Sequence, residues 1–335
     1  MYKEGIHMNK RKKIIVSVLV IVIFLLGIGF AFRKSLAVVA FDLFLSDRIE
    51  HTLQEKSYRP IEGEEASDPV QYDRNPFSVL LIGSDQRGDE PARSDTLIYA
   101  VVRPTDAKGL LISIPRDTYA EMVGKHEMDK ITHAYAFGGH KMTKASVEKL
   151  LNAEVHYYAS INFQGLKDAV DALGGIELPI QKTIENKGRD HEKFVIEANK
   201  PLYNGQEALN YVRYREDSDY NRTKRQQVFL DVVAKRLLQV NQIGNVEELL
   251  VIMGDNFQTD MNPKMIIQLG RDMVSGSQFE FESHTLLGEA MRKNGVYYYE
   301  ADEEDLKELQ DKIAIWLNPD TPADQLVEPE AEPEN

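Results

Sequence analysis

Residues 14–32, IIVSVLVIVIFLLGIGFAF, form a run of nineteen residues without a charged side chain. An α-helix of this length is about 28 Å long, close to the hydrocarbon thickness of a bilayer, so the run predicts one transmembrane helix. Basic residues at 10–13 favour a cytoplasmic N-terminus, although Arg33 and Lys34 weaken that asymmetry. A cleaved signal peptide is the alternative, but the run exceeds a usual signal h-region and no A-x-A site follows it. We therefore predict a signal anchor, with residues 1–13 as a cytoplasmic tail and the rest of the chain outside the cell.

The charge balance narrows the possible functions. The chain has 335 residues, a net charge of −14 and no cysteine, which excludes disulfides, thiolate metal sites and a cysteine nucleophile. Residues 1–34 carry a charge of +6, so the rest of the chain carries −20. Because nucleic acids are bound through broad basic surfaces, this balance argues against nucleic acid as a partner.

The part of the chain after the apolar run divides into three segments. Residues 33–75 are predicted to be a stalk, in which an amphipathic helix at 36–53 leads into a linker rich in Pro, Glu and Asp. Residues 76–317 form the predicted extracellular domain. Residues 318–335 form an acidic tail that we expect to be disordered.

Apolar runs alternate with helical periodicities within the predicted domain. The predicted strands lie at 77–83, 96–102, 110–114, 156–162, 176–180, 279–286 and 296–301. The predicted helices lie at 143–151, 163–173, 206–214, 220–240, 246–253 and 263–275. This alternation predicts the α/β class, as a single domain with a mixed β-sheet covered by helices on both faces.

Residues 211–227, YVRYREDSDYNRTKRQQ, concentrate basic side chains in an acidic chain. The basic residues are Lys224 and the arginines at 213, 215, 222 and 225. Because a guanidinium matches phosphate oxygens two at a time, the cluster suggests a bound anion. Surface ion pairs with Glu216, Asp217 and Asp219 explain the run equally well when it is taken alone.

Three further polar clusters stand at the ends of predicted strands, where α/β folds place their ligands. They are residues 83–87, 93–96 and 115–117. Each alone is more often a local ion pair, but Asp85 and Asp95 together are hard oxygen ligands suited to Mg²⁺ beside substrate phosphates. Positive charge around such an ion would come from the arginines at 93, 116, 213 and 215.

In the predicted helix 220–240, Arg222 and Gln226 are four residues apart and so share a face. Several arginines and a metal ion around a phosphoryl group are the usual electrostatic solution to phosphoryl transfer. The sequence has no Walker loop, G-x-S-x-G elbow or H-E-x-x-H motif. His126 and His133 have metal-compatible spacing but no third ligand nearby, and residues 297–299, three tyrosines, are better explained by strand packing than as a sugar platform.

In this order, and behind one N-terminal anchor, these clusters resemble the LytR–CpsA–Psr family. The matching segments are LLIGSDQR (80–87), RSDTLIYA (93–100), LISIPRDTY (111–119), MDKITHAYAFGG (128–139), INFQGLKDAVDALGGIEL (161–178), LYNGQEAL (202–209), YVRYRED (211–217) and RTKRQQ (222–227). Together these motifs are highly specific and cover about residues 77–240, whereas 241–317 match more loosely.

The resemblance implies a cell-membrane phosphotransferase of the glycopolymer-to-peptidoglycan ligase type. It would move an anionic glycopolymer, such as wall teichoic acid or capsule, from undecaprenyl pyrophosphate to a peptidoglycan hydroxyl, typically the muramic acid C6 hydroxyl, and form a phosphodiester. The family's sites bind the pyrophosphate with arginines and Mg²⁺ (or Mn²⁺) and hold the prenyl chain in an apolar tunnel.

Residue roles carry over on the matching motifs. Asp85 and Asp95 would be the metal carboxylates, and Asp95 and Arg116 the catalytic residues, with Asp95 a candidate acceptor of the hydroxyl proton. The pyrophosphate would be bound by Arg93, Arg116, Arg213, Arg215, Arg222 and Gln226. The tunnel, or equally well an ordinary core, would be lined by Phe229, Val232, Val233 and Leu237.

Two other functions stay open at this point. One is a non-catalytic envelope regulatory protein that binds prenyl phosphate, and the other is a prenyl-pyrophosphate phosphatase. Direct DNA binding is disfavoured, because the chain has no recognisable helix-turn-helix and the predicted domain is acidic and outside the membrane.

Overall fold

The computed structural model describes residues 46–61, 72–85, 93–188, 193–217, 219–239, 254, 256–275 and 279–326. The predicted transmembrane segment 14–32 and the predicted helix 246–253 lie outside these residues. Of the helices that the described residues form, none is both long enough and apolar enough to cross a bilayer.

Strands and helices alternate along the chain. The strands are β1 (Phe77–Ser84), β2 (Ser94–Arg103), β3 (Lys108–Ile114), β4 (Tyr119–Met122), β5 (Glu127–Lys130), β6 (Tyr157–Asn162), β7 (Ile184–Asn186), β8 (Phe194–Ile196), β9 (Phe257–Thr259), β10 (Glu280–Thr285), β11 (Gly288–Lys293) and β12 (Val296–Ala301). The helices are α1 (Ser46–Thr52), α2 (His133–Leu151), α3 (Phe163–Ala172), α4 (Gly205–Arg213), α5 (Asp219–Gln239), α6 (Pro263–Ser275) and α7 (Glu303–Leu317).

Six strands form one mixed sheet in the order β10-β3-β2-β1-β6-β9. Strand β1 runs parallel to β6 and β3 runs parallel to β10, whereas β2 is antiparallel to both β1 and β3. The C-terminal ends of β1, β3, β6 and β10 therefore lie along one edge with the start of β2. We call this the upper edge; the opposite edge, with the end of β2 and the start of β3, is the lower edge.

Helices cover both faces of the sheet, because its central strands bury apolar residues on both sides. On one face, Leu80 and Tyr99 share a core cluster with residues of α2 and with Trp316 of α7. On the other face, Ile98 packs with Leu230 of α5. The predicted α/β fold with a mixed sheet is confirmed.

Helix α5 is held against the body through α3 and α4. The side chain of Asn204 accepts a hydrogen bond from the Glu207 N–H, and the Glu207 side chain accepts one from the Asn204 N–H, a capping box that fixes the start of α4. Tyr203, just before this cap, is fully buried in a cluster that includes Phe229 of α5. This contact fixes α5 with its first turns beside the upper edge.

Two predicted elements differ from the structure. The helix predicted at 143–151 begins at His133, with non-helical dihedrals at Gly138 and Gly139 that obscure its first turns in the sequence. The strand predicted at 176–180 is wrong: Ile176 forms only an isolated bridge with Tyr203. Pro179 has no N–H to donate, so this segment cannot continue a ladder.

The predicted domain boundaries are too narrow at both ends. Ile49 and Leu53, which the sequence assigned to a stalk, are buried with Ile267 of α6. At the other end, residues 318–326 belong to the folded body and not to a disordered tail, since Leu326 is 2% exposed. Residues 327–335 lie outside the described part of the chain.

Candidate functional site

A cavity of about 90 Å³ lies at the upper edge, between the start of β2, the end of β3 and the first turns of α5. Its lining residues are Asp95, Ile114, Pro115, Arg116, Asp117, Arg222, Thr223, Gln226, Thr285, Tyr297 and Tyr299. The fold therefore gathers four of the predicted site residues, Asp95, Arg116, Arg222 and Gln226, in one place.

The antiparallel register of β2 and β3 brings Asp95 and Arg116 together. Leu97 pairs with Ile114, and each predicted site residue stands two positions beyond that pair. Arg116 Nη1 donates to Asp95 Oδ1 over 2.6 Å, and Arg116 Nε lies 3.7 Å from Asp117 Oδ2. The Asp95 carboxylate thus anchors the guanidinium at the cavity wall by a hydrogen bond, and the Asp117 carboxylate lies close enough to attract it electrostatically.

Arg222 and Gln226 stand one turn apart on α5 and are only 7% and 9% exposed. Arg222 Nη2 donates to the backbone carbonyl of Asp95, and Gln226 Nε2 lies 3.5 Å from the carbonyl of Val212. Asp95 is therefore held at its carboxylate by Arg116 and at its carbonyl by Arg222. Because a buried guanidinium is costly to desolvate, its position beside a cavity favours an anionic occupant.

Lys130 of β5 adds positive charge behind the cavity wall. Its Nζ lies 2.7 Å from Asp117 Oδ1, and the Asp117 carbonyl accepts a hydrogen bond of 2.9 Å from the Tyr299 N–H. Of the residues that the structure describes here, Lys130, Arg116 and Arg222 bring positive charge to the two carboxylates of Asp95 and Asp117. These cations are grouped in a chain whose net charge is −14.

Asp85 and Arg93 lie outside the cavity lining. Asp85 Oδ1 accepts a hydrogen bond of 2.7 Å from the Arg93 N–H, and the Asp85 N–H donates to the Arg93 carbonyl over 3.1 Å. These two bonds close the base of the loop between β1 and β2. In the part of the chain that the structure describes, no three His, Asp or Glu side chains form a metal-binding group, and the metal role of Asp85 stays a prediction.

The other arginines of 211–227 have different surroundings. The Arg213 guanidinium lies 4.8 Å from the ring centroid of Phe163, and Arg215 is half-buried away from the cavity lining. Arg225 donates to both carboxylate oxygens of Asp217, over 2.7 and 2.9 Å. Arg225 therefore forms the ion pair that one interpretation predicts, whereas Arg222 borders the cavity and its role in anion binding stays a prediction.

Five lining residues with polar groups lie outside the predicted set: Asp117, Thr223, Thr285, Tyr297 and Tyr299. The sequence offers a signal for most of them. Asp117 and Thr223 directly follow predicted site residues, and residues two apart in a strand, such as Tyr297 and Tyr299, share a face. Thr285 has no such signal, because its place depends on the pairing of β10 with β3.

Tyr299 serves as a wall of the cavity and not as a base. Burial, with a smaller contribution from Asp305, raises the pKa of Tyr299 to about 12, so the phenol stays protonated at neutral pH. Its hydroxyl donates to the Leu286 carbonyl over 3.2 Å.

The residues predicted as tunnel or core have apolar neighbours. Phe229 is 9% exposed, and Val232 and Val233 pack partly buried against the same cluster as α4. Core packing therefore describes these three side chains. The side chain of Leu237 lies outside the described part of the chain.

Comparison with known proteins gives consistent results. The LytR_cpsA_psr family model matches residues 47–315. An Enterococcus faecalis protein named polyisoprenyl-teichoic acid--peptidoglycan teichoic acid transferase TagU is 34% identical over 93% of this chain and 99% of its own. The Bacillus licheniformis protein of the same name is 32% identical over 92% of this chain and 98% of its own.

Solved structures share the fold. The crystal structure of Bacillus subtilis TagU superposes with a TM-score of 0.55 and 32% identity, covering 73% of this chain and 97% of that chain. A structure of TagT bound to LIIa-WTA superposes with a TM-score of 0.60 and 28% identity, covering 78% of this chain and 96% of that chain.

Proposed function

This chain belongs to the LytR–CpsA–Psr family, and on that premise we propose that it is a cell-wall phosphotransferase. Its donor is an anionic glycopolymer, such as a teichoic acid, linked through pyrophosphate to an undecaprenyl carrier. Its acceptor is a hydroxyl group of peptidoglycan, and its product is a phosphodiester. The names of its relatives, teichoic acid transferases that act between a polyisoprenyl carrier and peptidoglycan, support this assignment.

One observation carries the proposal: two guanidinium groups, from Arg116 and Arg222, hold one aspartate beside a cavity. A pyrophosphate presents several negative oxygens, and planar guanidinium groups bind such oxygens in pairs. Because Arg222 is buried by the fold before any ligand arrives, its charge is already positioned for the occupant.

The chemistry follows from this arrangement. The acceptor oxygen attacks the phosphorus that carries the glycopolymer, and the bond from that phosphorus to the bridging oxygen breaks. Undecaprenyl phosphate leaves with the bridging oxygen and its electron pair, while the hydroxyl proton passes to a carboxylate, for which we propose Asp95. Arg116 and Arg222 stabilise the negative charge that develops on the phosphoryl oxygens and the leaving group.

The carboxylates also suit a divalent ion. Mg²⁺ (or Mn²⁺) takes oxygen ligands, commonly one or two carboxylates together with substrate phosphates. The Asp95 carboxylate at the cavity wall fits this donor set, and we propose that Asp95 holds the ion, with Asp85 as the second carboxylate. When bound, such an ion would neutralise pyrophosphate charge.

The lipid donor, which stays in the membrane, gives two apolar parts of the chain a role: residues 14–32 and the space between α5 and the sheet. An undecaprenyl carrier stays in the membrane, so an enzyme anchored by residues 14–32, with its domain outside the cell, would keep its site near the donor. We propose that the prenyl chain lies between α5 and the sheet, where Ile98 and Leu230 already pack together. Opening that space would require α5 to move away from the sheet.

A transfer assay tests the proposal. The full chain in detergent is incubated with an undecaprenyl-pyrophosphate-linked glycopolymer, peptidoglycan oligomers and Mg²⁺, and the glycopolymer–peptidoglycan conjugate is measured by mass spectrometry. Arg222→Ala should lower the rate of conjugate formation by about 10²-fold, because it removes charge stabilisation at the phosphoryl group. Lys235→Ala is the matched control, an exposed cation on the same helix, paired with Asp231 at 2.8 Å, and should leave the rate unchanged.

The products separate this function from its alternatives. Release of undecaprenyl phosphate without conjugate would indicate a phosphatase. Tight binding of the lipid with no product at any metal concentration would indicate a binding protein. Either result, obtained with acceptor present, would refute the proposed transferase.

A further inference from the structure

Aromatic and basic side chains of two hairpins, β4–β5 and β11–β12, form a surface beside the cavity. The rings of Tyr119 and Tyr298 meet edge to face, with centroids 4.9 Å apart. Lys293 Nζ donates to the Tyr119 hydroxyl over 2.6 Å, and Lys130 Nζ lies 5.6 Å from the Tyr297 ring centroid and 5.9 Å from that of Tyr298. We call these five residues the tyrosine–lysine surface.

This surface is continuous with the cavity. Tyr297 belongs to both, and Lys130 is ion-paired at 2.7 Å with Asp117, a residue of the cavity wall. The backbone of β12 is joined to the same wall, because the Tyr299 N–H donates to the Asp117 carbonyl. A chain lying across the two hairpins would therefore end beside Arg116.

The side chains define the chemistry of the occupant. A half-exposed tyrosine offers an apolar ring face and a hydroxyl that donates or accepts, which suits sugar rings with apolar C–H faces and many hydroxyls. Among the described residues, no carboxylate lies within 4.0 Å of Lys293, although the chain has a net charge of −14. Lys293 therefore favours a carboxylate on the ligand, whereas the charge of Lys130 is shared with Asp117.

We propose that the tyrosine–lysine surface binds the peptidoglycan acceptor, a glycan strand whose lactyl and peptide groups carry carboxylates, and directs one of its hydroxyls into the cavity. This inference rests on the proposed function and adds to it the part of the molecule that the acceptor occupies. The sugar rings pack on Tyr119 and Tyr298, and a carboxylate of the ligand faces Lys293, while Tyr297, which also lines the cavity, borders the path of the hydroxyl. The pyrophosphate of the donor stays on the opposite wall, with Arg116 and Arg222.

Binding and transfer are measured separately on the full chain in detergent. The probe for binding is a soluble peptidoglycan tetrasaccharide with its stem peptides, and its Kd is measured by calorimetry. The double variant Tyr298→Ala/Lys293→Ala should raise this Kd, and the KM for the acceptor in the transfer assay, by about fivefold to tenfold, with the donor KM unchanged. Lys307→Ala is the control, because Lys307 of α7 is an exposed lysine, with 66% of its side chain accessible, away from this surface.

Two single variants test whether a folding defect causes the change in Kd. Tyr298→Phe keeps the ring and should keep the Kd within twofold, whereas Lys293→Glu leaves the ring contacts in place and should weaken binding as much as the double variant does. An unchanged Kd in Lys293→Glu and the double variant would overturn the inference, as would an equal rise in the donor and acceptor KM values. If the wild-type chain binds the tetrasaccharide but transfers nothing, the proposed function fails, while the Kd comparison still decides the role of the surface.

Discussion

The lower and upper edges of the sheet each hold an arginine, and the two have opposite kinds of surroundings. At the lower edge, Arg103 is 3% exposed and donates to Asp106 over 2.6 Å and to the carbonyls of Trp316, Asn318 and Thr321 over 2.8 to 2.9 Å. At the upper edge, Arg116 meets carboxylates on one side and an open cavity on the other.

The difference distinguishes an arginine whose donors all go to the fold from an arginine that borders a cavity. Arg103 gives its donors to the protein itself, and through them it fixes the segment after α7 to the sheet. Arg116 is held by charge but borders space that a ligand can fill. We expect substitutions at Arg103 to change the free energy of unfolding, and those at Arg116 to change the rate of transfer.

The largest expected effect is that of Arg116→Lys. A lysine keeps the charge but cannot present a planar fork to Asp95 and a phosphoryl oxygen together, so kcat should fall by about 10²-fold. The free energy of unfolding should change by less than about 1 kcal/mol, because the pair lies at the edge of water, with side chains 27% and 19% exposed. The transfer assay and thermal unfolding of the full chain in detergent measure the two quantities.

The contrast between Arg103 and Arg116 would be wrong if Arg116→Lys lowered the free energy of unfolding and yet left the folded protein fully active. In that case Arg116 would serve the fold as Arg103 does, and the catalytic charge would have to come from other residues. Asp95→Asn provides a second measurement at the same pair, since it removes the carboxylate charge while keeping the shape of the side chain.

The second effect is on stability, at the lower edge. Arg103→Ala should lower the free energy of unfolding by about 3 kcal/mol, because it leaves buried carbonyls and Asp106 without their donor. The matched control is Arg74→Ala: Arg74 and Asp272 are also 2.6 Å apart, but the Arg74 side chain is 60% exposed. That variant should change stability by less than about 1 kcal/mol. Equal losses in both variants would mean that burial does not distinguish the two pairs.

Most of the sheet could be predicted from the sequence, because its strands are short apolar runs that end at turn residues. The segments that the prediction missed lack such runs. Strand β11, GEAMRK, is polar and gains its place only by pairing with β12. Helix α7 opens with three acidic residues after the cap Asp302. Acidic residues favour the first turn of a helix, but this signal is hard to see beside the acidic tail that follows the helix.

The site was predictable to the extent that its residues stand at strand ends. Asp95 and Arg116 follow from the register of β2 and β3, and Arg222 and Gln226 from helical spacing. What could not be predicted is which of the two Asp–Arg pairs borders the cavity. Asp85 and Arg93 look like Asp95 and Arg116 in sequence, yet the Asp85 carboxylate accepts its hydrogen bond from the backbone N–H of Arg93. That distinction depends on the course of a loop, not on residue type.

The smallest expected effect is on the pH dependence of stability. It comes from a buried histidine, His140, below the upper edge of the sheet. His140 stacks on Tyr158 with ring centroids 4.1 Å apart, and its Nε2 lies 3.0 Å from Ser160 Oγ near the end of β6. Burial lowers the pKa of His140 to about 4. The unfolded chain takes up this proton near pH 6.5 and the folded chain does not. The contribution of His140 to stability is therefore largest above pH 6.5 and falls as the pH drops toward 4, by about 2 kcal/mol between pH 7.5 and 5. Unfolding of the full chain at both pH values should show this loss in the wild type and in the exposed-histidine control His51→Gln, and a smaller loss in His140→Phe. An identical loss in His140→Phe would place the acid sensitivity elsewhere.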